Sequence, residues 1–261
     1  MNLQILPAAL LVAVLCVAHG ASRCVAATFS IPDPSRDVVG ATTLQGEEIG
    51  TAWTRRFTEC DTRNSVDGVL VKHKCSDDPN RNSVVLLVKN NVIFYDAKMG
   101  LDRDGSAHAR LRKGTDQPET SLRYPTQGAA SMDADRVPYI VVPNGFVDRT
   151  RHATPGDVAA VIHDNQLAFA VVGDIGLPYK IGEGSVRLHE LLGHSVCRTR
   201  TATGDCDEAQ ESSIKQGVLY FVFLGTAFEL KSGLTAKNIG ERINALGSRH
   251  WQRLQESKRS R

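Results

Sequence analysis

The chain carries no G-x-S-x-G nucleophile elbow, no Walker phosphate loop and no glycine-rich dinucleotide fingerprint. These gaps exclude the corresponding serine hydrolases, P-loop nucleotidases and nicotinamide or flavin enzymes. An excess of charge of one sign is also missing: 31 lysines and arginines face 29 aspartates and glutamates, a formal net charge of +2. Such a balance gives no footprint for nucleic acid or another polyanion. No C-x-x-C pair occurs among the six cysteines, so a redox centre is not expected, and a zinc site built from them stays only as an alternative. Repeats and low-complexity tracts are absent, and 261 residues read as one globular domain.

What is present begins with an apolar run of fourteen residues from Ile5 to Ala18. It is too short to span a bilayer comfortably and sits where a secretory signal has its apolar core. Small-residue cleavage sites follow Gly20 and Ala27. Cutting after Gly20 leaves five cysteines, whereas cutting after Ala27 leaves four, the even number suited to an oxidising compartment. Residues 1–27 are therefore expected to be a signal peptide, and the mature protein to be extracellular or periplasmic. The four remaining cysteines form two local pairs, Cys60 with Cys75 and Cys197 with Cys206, each closing a short polar loop.

Residues 28–58, with Pro32, Pro34 and several glycines, show little periodicity and read as an irregular lead-in. Strands dominate afterwards. Val84–Val88, a turn at Asn90-Asn91 and Val92–Tyr95 form a hairpin; Val158–Ile162, a turn at Asp164-Asn165 and Leu167–Val172 form another. Tyr139–Val142 and Val218–Leu224 are further strands. One short helix is expected from Val186 to Leu192, with Ser185 as N-cap and Gly193 just past its end. Ile239, Ile243 and Leu246 recur at helical spacing, so residues 237–261 should dock as a helix and fray into a basic tail containing Arg249, Arg253, Lys258, Arg259 and Arg261. The fold class is mainly β: one compact barrel-like domain over residues 59–236, of the double-psi type, with a C-terminal helix.

The segment from Ala170 to Ser185 joins a buried strand to the short helix through a loop with four glycines, and it carries Asp174 and Glu183. A strand ending Val-Val-Gly would deliver Asp174 at its rim, and flanking Gly182 and Gly184 would free Glu183 to face a cleft. Glycosidic cleavage needs two such carboxyls, one to protonate the leaving oxygen and one to activate water. On spacing alone, a turn aspartate and a glutamate at a helix N-terminus are the better account of the pair.

Longer motifs distinguish the two. The run GDIGLPYKIGEGS resembles the glycine-rich segment of the fungal-type chitosanases, glycoside hydrolase family 75, and IFYDAKMGLDRDG, ASMDADRVPYIVVP and GDVAAVIHDNQLAFAVVGD resemble further family stretches in the same order. The likeness covers about residues 84–235. It implies that Asp174 and Glu183 are the catalytic residues and that the reaction inverts the anomeric carbon. Glu183, with apolar neighbours Ile181 and Val186, is expected as general acid and Asp174 as base. Asp102, Asp104, Glu119 and Tyr139 are the expected substrate contacts, the carboxylates drawing the ammonium groups of chitosan. The family pattern has an extra Asp where this chain has Gly100, and a Cys where it has Arg103. A monomer acting on a polysaccharide is expected, with neither nucleic acid nor membrane as partner and with no cofactor or metal. Peptidoglycan is the alternative polymer. A divalent cation in the Asp102-x-Asp104-Gly105 loop and a zinc peptidase site in His189-Glu190-Leu191-Leu192-Gly193-His194 are the remaining alternatives. In the latter the histidines stand five apart rather than four, so they do not share a helical face.

Overall fold

The computed structural model describes residues 25–49, 51–71, 75, 84–88, 91–111, 117, 119–146, 152–210 and 213–259. The expected signal segment up to residue 24, Asn90 and Arg261 lie outside them. Thirteen strands and six helices follow one another along these residues. They are β1 (Val25–Ser30), α1 (Asp33–Val39), β2 (Thr43–Glu48), α2 (Thr51–Arg63), β3 (Ser65–Val66), β4 (Val69–Leu70), β5 (Val85–Val88) and β6 (Val92–Asp102). Then come α3 (Ala107–Leu111), β7 (Tyr139–Pro143), β8 (Val158–His163), β9 (Gln166–Gly176), β10 (Glu183–Ser185) and α4 (Val186–Leu191). The chain ends in β11 (Cys197–Arg200), β12 (Cys206–Ala209), β13 (Ile214–Phe223), α5 (Ala227–Lys231) and α6 (Ile239–Arg259).

Six strands close on themselves in the order β6-β10-β7-β9-β8-β13, because β13 pairs back onto β6. Closure leaves these strands no open edge. Two of the six pairings, β6 with β10 and β7 with β9, are parallel. The domain is thus a mainly β barrel, as the strand pattern implies. Both expected hairpins form, β5 with β6 and β8 with β9, and their turns put Asn91 and Asp164 at positive φ, which asparagine and aspartate tolerate better than most residues. Ser185 caps α4 by accepting from Leu188 N.

The lead-in is a correction: it is regular. β1 and β2 pair antiparallel and extend the sheet through β5 from the side of β6, with α1 between them and α2 after them. β1 lies at the sheet edge with its side chains mostly exposed, so the alternation that marks a strand is faint there. In α2 the buried positions Phe57, Cys60 and Asp61 fall at i, i+3 and i+4, and the aspartate hides that stripe. Cleavage after Ala27 would fall inside β1, whose Val25, Ala26 and Ala27 pair with Glu48, Glu47 and Gly46. The expected C-terminal helix forms from Ile239 to Arg259, held by Ile239, Ile243, Leu246, Trp251 and Leu254.

Two apolar layers cover the sheet. One contains Phe94, Phe221 and Val171 and packs beneath α6, where Trp251 meets Phe221 edge-on at 5.1 Å. The other contains Tyr95, Tyr220 and Val172 and packs beneath α2 and α4. Disulfides join Cys60 to Cys75 and Cys197 to Cys206, the pairs expected. No helix among the described residues is long and apolar enough to cross a membrane.

Candidate active site

Val141, in the middle of β7, is the register partner of Asp174 on β9 and of Glu183 on β10. Register partners point to one face of a sheet, so the two carboxylates flank Val141, about 9.5 Å apart at Cα by two strand spacings. This placement corrects the expected local structure. β9 does not end at Gly173, and Glu183 opens a strand rather than hanging in a loop. The β7–β9 register slips by one residue at Gly173, and that bulge turns Asp174 onto the face of Val141. Only glycine fits there, because a Cβ would lie 2.6 Å from Tyr139 Cβ. Gly182 has a related reason: at φ +78° its Cβ would stand 2.2 Å from the Lys98 carbonyl oxygen. It brings the backbone against β6, where Gly100 N donates to Gly182 O at 2.8 Å.

Each carboxylate is held. Asp174 is 3% exposed, and its Oδ1 accepts from Ser121 N at 2.9 Å, from Ser121 Oγ and from Ile175 N at 2.8 Å. Three donors on one oxygen fix the plane of the carboxylate. Glu183 Oε1 accepts from Lys180 Nζ at 2.6 Å.

Asp102, last on β6, pairs with Ser185 and so shares the face of Glu183. Asp102, Asp104 and Asp174 each bring a carboxylate oxygen within 4.8 Å of the others. Burial first, and then the charges of Asp104 and Glu183, push the Asp102 carboxyl well above the usual carboxylate range, although Asp104 N donates to it at 2.8 Å. Tyr139 has no exposed surface, and its hydroxyl donates to the Asp104 carbonyl at 2.8 Å. Burial, followed by Asp102, Asp104 and Asp174, raises its phenol well above the ordinary value. Tyr139, expected as a substrate contact, is buried and holds the backbone of the acidic loop at Asp104. Glu119 is exposed and ion-paired with Arg123, two residues from Ser121.

The His189–His194 motif is committed elsewhere. His189 is fully buried, with Nδ1 2.9 Å from Ser185 O and Nε2 3.1 Å from Met99 O. Burial, set against those two carbonyls, lowers its pKa. Glu190 is bound by Arg187 and Arg200. Both ring nitrogens of His189 and the Glu190 carboxylate are therefore engaged within the protein. Ser121 and Lys180 are the contacts that sequence reasoning missed. A lysine three residues before a glutamate in a glycine-rich loop was a signal for the second; for Ser121, 53 residues from Asp174, none existed.

The closed barrel presents two held carboxylates across one strand, one of them, Asp174, within the cluster of Asp102 and Asp104, and paired carboxyls are the group type that acid–base hydrolysis employs. Residues 99–253, more than half of the chain, match the family model of the fungal chitosanases of glycosyl hydrolase group 75, and the chain belongs to that family. It is a glycoside hydrolase, and its substrate is a polysaccharide. The match gives no support to the peptidoglycan or zinc peptidase alternatives. No curated protein matches this chain.

Proposed function

We propose that the enzyme is a secreted, endo-acting chitosanase that hydrolyses β-1,4 linkages of the glucosamine polymer chitosan with inversion. The observation that carries this reading is the shared register of Asp174 and Glu183 about Val141. An inverting enzyme needs its two carboxyls about 6.5–9.5 Å apart, so that a water fits beneath the sugar, and a pair divided by a whole strand supports that spacing. Glu183 protonates the leaving oxygen. Asp174, its Oδ1 fixed by Ser121 and Ile175, orients and deprotonates the water. Asp102 and Asp104 draw ammonium groups toward the pair, Asp102 contributing less because burial favours its protonated form. Two disulfides suit an oxidising compartment. Signal cleavage after Gly20 would keep β1 whole.

Asp174→Asn and Glu183→Gln test the mechanism directly. Each preserves size and hydrogen bonding while removing a proton transfer, so chitosan cleavage should fall by about 10²–10⁴-fold with folding intact. Near wild-type turnover by either folded variant would remove the pair from the chemistry. The product formed first should be the α-anomer by NMR; a retained β-product would make one carboxylate a nucleophile instead.

A further inference from the structure

Lys180 has no part in that scheme, yet its ammonium donates to the carboxylate that the scheme makes the acid. The Nζ–Oε1 distance is 2.6 Å, and both side chains are 19% exposed. The lysine is placed rather than dangling: Lys180 N donates to Leu177 O at 3.2 Å, and the next residue, Ile181, is 1% exposed. Gly182 then locks the backbone against β6. On the other side of Glu183, its partner Gly100 contributes no side chain that could draw the lysine away. Burial works to discharge Lys180, but the charge and hydrogen bond of Glu183, with Asp102 and Tyr179 behind them, outweigh it and raise its pKa. A fixed positive charge therefore stands at one end of an otherwise acidic face.

In a polyglucosamine chain the nitrogen at C2 is one carbon from the anomeric centre. A carboxyl that reaches the glycosidic oxygen consequently lies close to a C2 substituent. If that substituent is an ammonium, it meets the Lys180 ammonium within a few ångströms, partly shielded from water. An acetamido group meets no such repulsion, and its carbonyl oxygen can accept from Nζ. We propose that Lys180 makes the enzyme select an N-acetylglucosamine, rather than a glucosamine, at the subsite whose C2 group lies against Glu183. The preferred polymer is then partially acetylated chitosan, cut beside an acetylated residue. The selectivity has a repulsive and an attractive part, as discrimination between near-isosteres usually requires. This inference rests on the glycoside hydrolase reading and refines its substrate.

The test compares wild type, Lys180→Gln and Lys180→Arg on fully deacetylated and on half-acetylated chitosan. It reads kcat/KM on each polymer and the sugars at the newly formed chain ends by mass spectrometry. Wild type should prefer the half-acetylated polymer and leave one new end enriched in N-acetylglucosamine. Lys180→Gln should shift the ratio of kcat/KM values about tenfold toward the deacetylated polymer and lose the enrichment, whereas Lys180→Arg should keep both. An unchanged ratio in Lys180→Gln, even with both activities lowered, would reduce Lys180 to a support for Glu183 and overturn the inference alone. Glucosamine at both new ends of wild-type products would overturn it too. Cleavage of neither polymer by wild type would overturn the functional reading along with it.

Discussion

Two lysine–carboxylate pairs, one with its lysine on β6 and one at the start of β10, differ in what surrounds them. Lys98 and Asp61 are 1% and 2% exposed, and the Lys98 ammonium also donates to the Cys75 carbonyl at 2.6 Å. Lys180 and Glu183 are each 19% exposed. The first pair ties α2 and the Cys60–Cys75 loop to the barrel wall, and water cannot replace either partner. In the second, both side chains keep some contact with solvent. Gly182 couples them, since it packs on the Lys98 carbonyl and precedes Glu183. The contrast teaches that the same two functional groups serve as a fixed strut where no solvent reaches and as an exchangeable contact where some does.

The sharpest way to break this comparison is to remove one partner of the dry pair. Lys98→Met leaves the Asp61 carboxylate buried without its cation and should cost about 3–5 kcal/mol in chemical denaturation, with much of the loss recovered when Asp61→Leu is added. Lys180→Gln should stay within about 1 kcal/mol of wild type in the same measurement. Equal losses would mean that burial does not separate the two pairs.

The disulfide is next in size. Opening Cys60–Cys75, which spans 15 residues, should cost about 3 kcal/mol by loop closure alone. Because the Cys75 carbonyl is a partner of Lys98, its loss and that of Lys98 should overlap rather than add. Strict additivity in the combined variant would show the loop and the ion pair to be independent.

Asp102→Asn should have the smallest effect on stability, and in the favourable direction. The folded-state pKa of Asp102 lies above its unfolded value, so its contribution is fully present below the unfolded pKa and is lost as pH rises through the folded one. The amide removes that loss, so the variant should gain on the order of 1 kcal/mol at pH 7 and little at pH 3. A variant that is less stable at pH 7 than at pH 3, relative to wild type, would contradict the raised pKa of this carboxyl.

Local order alone determined the hairpins β5–β6 and β8–β9, the strands β7 and β13, the cap of α4 and the two disulfides, since each is set by residues close together in the chain. The expectation for Asp174 and Glu183 likewise rested on motifs that are read without any tertiary partner. Tertiary pairing decided the rest. Glu183-Gly184-Ser185 has no strand propensity of its own, and it becomes β10 because β6 and β7 offer hydrogen bonds on both sides. β1 and β2 form at an edge where few side chains are buried, so hydrophobic pattern could not announce them. Ser121 reaches Asp174 across 53 residues, and Lys98 reaches Asp61 across 37. Contacts at such separation exist only once the barrel has closed, because periodicity in a sequence records which face a residue takes and not which distant group it will meet there.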